Sequence, residues 1–132
     1  MKYLVIALIL VAVLLPIGIS LASIPRLHFH ENPDKMEQEV LRVILLGAAI
    51  ADAKKIMERN WFKCEIYENS TFIRYRKIPG NSESETKLFS HVDFILCTRK
   101  KGFIVKQNWI VGIIYEKERV TTVVVNYGLT GS

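Results

Sequence analysis

The chain is 132 residues long, half of it apolar, with 18 basic and 13 acidic side chains and a net charge of +5. That is enough chain for one domain with a single buried core and too little for two. The charge is moderate and dispersed, which excludes nucleic-acid binding of the ordinary basic kind but permits attraction to anionic lipid, cell-wall polymer or an acidic partner.

Met1-Lys2-Tyr3 leads into an unbroken apolar run from Leu4 to Leu15, followed by Pro16 and the small-residue stretch Ser20-Leu21-Ala22. A charged start, an apolar middle and small residues two apart match the zones of a secretory signal. Residues 1–22 are expected to be a cleaved signal peptide or a retained membrane anchor. The anchor reading rests on the 23 residues from Tyr3 to Pro25, which carry no charge. As a helix they would span roughly 35 Å, enough for a hydrocarbon core. In either case the remainder is extracytoplasmic, periplasmic or anchored to the inner membrane facing outward, because Lys2 and the amino terminus hold the other end in the cytoplasm. Cleavage would remove one lysine and leave +4. No cysteine lies near the cut, which excludes a lipid-modified N-terminus.

Residues 23–32 read as a tether, and 33–132 as a single domain. Asn32-Pro33-Asp34 supplies an N-cap, a proline at the first helical position and a carboxylate in the first turn, so a helix should run from about 33 to 46. Gly47 interrupts it. Ile50, Ala53, Ile56 and Met57 then form one apolar stripe, with Asn60 just past its end. The period next changes to two: Phe62, Cys64 and Ile66 alternate with polar neighbours, as does Thr71 to Ile78. Residues 78–87 carry proline, glycine and small polar side chains and are expected to be a loop. Strands follow at about 89–98, 105–116 and 119–127, the last two joined by a hairpin at Lys117-Glu118. Both faces of the middle run are apolar, so one face should cover the helix and the other requires the first helix, a partner or the membrane. Tyr127 to Ser132 should be a flexible end. The fold class is therefore α+β: an N-terminal signal or anchor helix, then one or two helices on an antiparallel sheet of four to five strands, with Trp61, Phe62, Trp109 and Ile113 in its core.

The two cysteines, Cys64 and Cys97, would bond in an oxidising compartment, closing a loop of about 34 residues, or remain two buried thiols. His28 and His30, beside Glu31, are the one cluster of candidate metal ligands, but a third fixed ligand is missing. His91 and Asp93, two apart on a strand, would suit an acid–base couple without a nucleophile to serve. Asn69-Ser70-Thr71 is a formal glycosylation acceptor. Two basic spots stand out: Arg74, Arg76 and Lys77 as the solvated face of a strand, and Arg99, Lys100 and Lys101 at a turn marked by Gly102. Neither catalytic residues, metal nor cofactor are expected.

Leu46-Gly47, Asp52-Ala53-Lys54, Ile56-Met57 and Trp61-Phe62-x-Cys64 resemble the glycine-plus-helix opening of small exported bacterial envelope proteins of the SmpA/OmlA type, which share the β-lactamase-inhibitor-like fold. The closing hairpin from Trp109 to Leu129, ending in Gly-Leu-Thr-Gly, resembles unassigned exported bacterial proteins of similar layout. The likeness covers roughly residues 40–130, but the lipid-anchor cysteine is absent, Ala48-Ala49 replaces a hydroxyl helix cap and the cysteine pair is extra. The resemblance implies an α+β fold and an envelope role in protein contact, and it supplies no catalytic residues. The expected function is that of a non-catalytic exported or membrane-anchored bacterial envelope protein acting through contacts with a protein or with the envelope surface, its partners being the membrane, through the N-terminal segment, and another envelope protein. Neither nucleic acid nor a small-molecule substrate is indicated. The alternatives are a secreted inhibitor of an extracellular enzyme, and a small hydrolase or metal-binding protein.

Overall fold

A computed structural model of the chain describes residues 25–78, 80 and 83–131. The expected signal or anchor, residues 1–22, lies outside them, and no helix among the described residues is long and apolar enough to cross a membrane. The order is α1 (Pro33–Val43), α2 (Ile50–Arg59), β1 (Lys63–Lys77), β2 (Ser84–Lys101), β3 (Val105–Glu116) and β4 (Arg119–Gly131). The strands form one antiparallel sheet in the order β1-β2-β3-β4. The fold is α+β, with two helices and four strands.

Asn32 caps α1 as its sequence predicts, its Oδ1 accepting from Asp34 N–H at 2.9 Å and Lys35 N–H at 3.2 Å. The helix stops at Val43, short of the expected 46, because the backbone that follows pairs with β4. Gly47 (φ +89°) donates to the Val120 carbonyl, Val120 N–H donates to Ala48 and Ile50 N–H to Glu118. This last bond serves a free N–H at the start of α2, whose N-cap Ala49 has no capping side chain.

The C-terminus of α2 is a Schellman motif. Phe62 N–H reaches the Met57 carbonyl and Trp61 N–H the Glu58 carbonyl, both at 3.1 Å. Trp61 therefore occupies the position after the cap that glycine prefers, at φ +70°. Phe62 turns inward onto the core, whereas Trp61 points out and is 77% exposed. Trp61 does not belong to the core, contrary to its sequence expectation. Phe62, Trp109 and Ile113 do.

Both helices lie on one face of the sheet. Met36, Val40, Ala53 and Met57 meet Ile95, Cys97, Val111, Ile113 and Val125 there, all buried. Residues 25–31, expected as a tether, run extended along the same core. Leu27 is buried in it, and Phe29 stacks between Phe62 and Trp109. The Asn60 amide secures the segment, accepting from Leu27 N–H at 2.8 Å and donating to the Pro25 carbonyl at 3.1 Å.

The second face is covered not by α1 but, over part of its length, by the chain's own strands. The β1–β2 hairpin folds back over it. Two register shifts make the bend, an extra residue in β1 between Tyr67 and Ser70 and one in β2 opposite Thr71. Asn69 (φ +46°) and His91 (φ +54°) mark the two bulges. Beyond them Phe72 joins Phe94, Ile114 and Val124 in a second small core. Gly112 makes room for it, since a Cβ there would lie 2.7 Å from the Phe72 ring. β2 also begins at Ser84, inside the expected 78–87 loop, because the hairpin needs that length to reach β4.

Side chains then join the two free edges. Asn126 on β4 accepts from Tyr75 N–H at 2.8 Å and donates to the Ile73 carbonyl at 2.7 Å. Arg76 on β1 donates to the Val125 carbonyl at 2.7 Å, and Glu37 on α1 accepts from both Arg76 and Val125 N–H. Arg74 and Arg76 also grip Asp34 at 3.1 and 2.8 Å. These arginines are thus not a solvated strand face, and the Arg76 side chain is only 10% exposed. The hydrogen bond from Arg76 holds the Asp34 carboxyl below its ordinary range against the opposing effect of burial, and the nearby charges of Arg76 and Arg74 add to the lowering. A depressed carboxylate pKa adds stability above the unfolded value, lost as pH falls through the folded one.

The C-terminal stretch is not a loose end either, since Leu129, Thr130 and Gly131 pair with Gln107, Lys106 and Val105. At the far end Lys117 (φ +51°) and Glu118 (φ +64°) make the expected two-residue hairpin with the handedness it demands.

Gly112→Ala should destabilise the protein by about 1–3 kcal/mol in chemical denaturation, as overpacking against the Phe72 ring. Combined with Phe72→Leu, the added cost should be markedly smaller. Strictly additive effects would show that the ring does not rest on Gly112.

Candidate functional site

Alternation along the strands places Thr98 and Lys100 of β2, Asn108 and Ile110 of β3, and Asn126, Gly128 and Thr130 of β4 on the second face. The register sets them side by side: Thr98 opposite Ile110, Ile110 opposite Asn126, Lys100 opposite Asn108, and Asn108 opposite Gly128. The folded-back hairpin stops short of this end, leaving a cleft of about 470 Å³ lined mainly by these residues. Its floor is Ile110 and the bare backbone of Gly128, above which a Cβ would meet nothing within 4 Å. Lys100 stands at its rim, exposed.

One polar group in the cleft wall is incompletely satisfied. Asn108 is only 7% exposed; its Nδ2 donates to Thr130 Oγ1 at 2.8 Å, while its buried Oδ1 finds no donor among the described residues. Such an acceptor costs about 1–3 kcal/mol. Exchanging the amide oxygen and nitrogen would only move the deficit to the nitrogen. Asn108 and the cleft were missed in the sequence. The available signal was polar Asn108 and Asn126 and small Gly128 at alternating positions in otherwise apolar strands.

His91 and Asp93 do not form a couple. The positive φ of His91 breaks the alternation that would have put them on one side. Each instead engages Asn69: His91 Nδ1 lies 3.1 Å from Asn69 Oδ1, and Asp93 Oδ1 accepts from Asn69 N–H at 2.9 Å. Both side chains pin the bulge that bends the hairpin, and the amide of the formal glycosylation acceptor is engaged there as well. His28 and His30 lie on the segment that crosses the helix-side core, where the His30 carbonyl accepts from the Trp109 indole at 2.9 Å. Among the described residues no three potential ligands gather at one point.

Cys64 and Cys97 face each other directly across β1 and β2, their sulfurs 3.1 Å apart. Directly paired residues on antiparallel strands have the Cα separation a disulfide requires. The hydrogen bond between the two and burial push the Cys97 thiol pKa up. The same bond lowers that of half-buried Cys64, with burial opposing. Cys64 is the more exposed of the two sulfurs, and Cys97 is buried.

Of the basic turn, only Lys100 and Lys101 are freely exposed. Arg99 lies over the Phe29 ring at 4.1 Å and donates to the Asn60 carbonyl at 3.1 Å, its pKa lowered by partial burial. Beyond Lys101 the β2–β3 turn presents three consecutive exposed apolar side chains, Phe103, Ile104 and Val105.

Comparison with protein-family models, with curated proteins and with solved structures finds no significant match.

Protein isolated from an oxidising compartment and unfolded without reductant should show no free thiol. Cys97→Ala should then cost about 2–4 kcal/mol in thermal or chemical denaturation. Two titratable thiols in the unreduced protein would contradict the bond.

Proposed function

We propose that the protein is a non-catalytic component of a bacterial envelope, exported or held by residues 1–22, whose work is to contact another envelope protein. The single observation that carries the contact role is the cleft on the second face. It combines an apolar floor at Ile110, a cationic rim at Lys100 and polar side chains in its wall, Thr98 and Asn108 among them. Those are the ingredients of a recognition surface, where a few placed polar groups orient a partner and apolar area supplies affinity. The export-like N-terminus supports a place for that surface outside the cytoplasm. The engagement of His91 and Asp93 with Asn69 leaves the hydrolase alternative without the couple it was built on.

Gly128 gives the cleft a clean test. Its backbone has ordinary geometry and open space above it, so Gly128→Val should fill the cleft at little cost in stability. A photo-crosslinking amino acid at Thr98, read by mass spectrometry in the native envelope, should yield one reproducible adduct with an envelope protein, and Gly128→Val should abolish it. A secreted enzyme as the adduct would favour the inhibitor reading. The absence of any adduct, or one indifferent to Gly128→Val, would reject the cleft as the contact. N-terminal sequencing of the same material separates release, with Ser23 first, from anchoring, with Met1 intact in the membrane fraction. Recovery in the cytosol would reject both.

A further inference from the structure

One end of the domain gathers exposed apolar side chains, lysines and the point where the uncharged N-terminal run arrives. Phe103 is 91% exposed, Ile104 69% and Val105 54%, all at the β2–β3 turn. Gly102 makes that turn tight enough to hold them outward: at φ +128°, its Cβ position would collide with the Val105 carbonyl. Lys100 and Lys101 precede the turn and Lys106 follows it. Trp61 belongs to the same end. It follows Asn60, whose carbonyl holds Arg99, and precedes β1, whose first pair is Lys63 with Thr98. The tip therefore projects about 7–13 Å beyond the level of Arg99.

A bulky side chain at positive φ is an outlier whose strain calls for a compensating role. Burial does not compensate Trp61, because it is exposed. A tryptophan, a Phe-Ile-Val tip and flanking lysines are together the composition of a surface that sits at the boundary of an anionic bilayer. The uncharged run ends at Pro25, whose carbonyl is fixed by Asn60 beside Trp61. Other exposed apolar side chains are spread over the surface, Leu88 on the folded hairpin among them, and the pair Leu45 and Leu46 lies at the opposite end of the 12-residue β3, on the order of 35 Å away.

We propose that Trp61 and the Phe103–Val105 tip insert into the lipid–water interface, with Lys100, Lys101 and Lys106 on anionic headgroups. The domain is thereby set upright on the membrane, its cleft rim near the headgroups. The placement draws on the envelope reading above, yet the contact itself applies to the anchored and to the released chain.

The test uses the purified protein in whichever form its host delivers it, with vesicles of phosphatidylcholine alone or with phosphatidylglycerol, containing lipids brominated near the headgroup end of the chains. Trp109 is buried and supplies a constant background, so the quenched emission is that of Trp61, identified by its loss in Trp61→Phe. Quenching in the phosphatidylglycerol vesicles is expected, lost in Phe103→Ser/Ile104→Ser. For the released chain, each Lys→Gln substitution at the tip should lower partitioning about 5-fold. Trp61→Gly should weaken the lipid contact while leaving stability equal or higher, since glycine relieves the strained position. A merely structural Trp61 would show the reverse. Unquenched Trp61 in phosphatidylglycerol vesicles, with the protein shown to be folded, would overturn the proposal in either form. Co-flotation of the unprocessed chain with unquenched Trp61 would refute this contact while sparing the anchor.

Discussion

The architecture depends on how two sheet edges are joined without a backbone ladder. A four-stranded antiparallel sheet has two free edges and two faces, and α1 and α2 can cover only one face. Here the hairpin formed by β1 and β2 is long enough to fold over the uncovered face and bring its edge to β4. The junction is made by Asn126 reaching across to Ile73 and Tyr75, and by Arg76 and Glu37 taking both backbone groups of Val125. Because Glu37 and Asp34 belong to α1, the same cluster ties the helix layer to the folded hairpin. The second core of Phe72, Phe94, Ile114 and Val124 lies between the sheet and the hairpin that this junction holds down.

Much of this was legible in the chain. The cap at Asn32, the break at Gly47, the end of the second helix at Asn60 and the Lys117-Glu118 hairpin follow from local chemistry, and local chemistry is what a sequence displays most directly. The doubly apolar face of β3 correctly announced that a second cover was needed. The cover itself was hidden, because two bulges that cancel in register leave the alternation of β1 and β2 nearly intact while changing their direction. For the same reason His91 and Asp93 resembled a couple: spacing by two means a common face only in a strand without a bulge between. Arg74 and Arg76 resembled a solvated face because their partners, Asp34 and Glu37, lie some 40 residues earlier in the chain.

The candidate surfaces were less legible than the fold. Asn108 reads as an ordinary strand residue until the register places it beside Thr130, and the cleft is simply what the folded hairpin leaves uncovered. Trp61 was misread in a way that carries information. Tryptophan before a β run usually enters the core, yet the Schellman ending of α2 puts Phe62 inside and turns Trp61 out. The polarity of the domain follows: its lysine-flanked tip, exposed tryptophan and Pro25 share one end, where Lys100 also lines the cleft.

The central claim is that side chains, Asn126 foremost, close the sheet on itself. Native-state amide exchange on Asn126→Ala, residue by residue, tests it most directly. Tyr75 N–H should lose protection by about 10–100-fold, consistent with losing its hydrogen bond to Asn126 and opening an edge. The amides around Phe72, Phe94 and Val124 should lose protection with it, while those of α1, α2 and Val111 stay as they were. If Tyr75 alone responded, or if no amide did, the second core would stand without the junction, and closure by side chains would be contradicted.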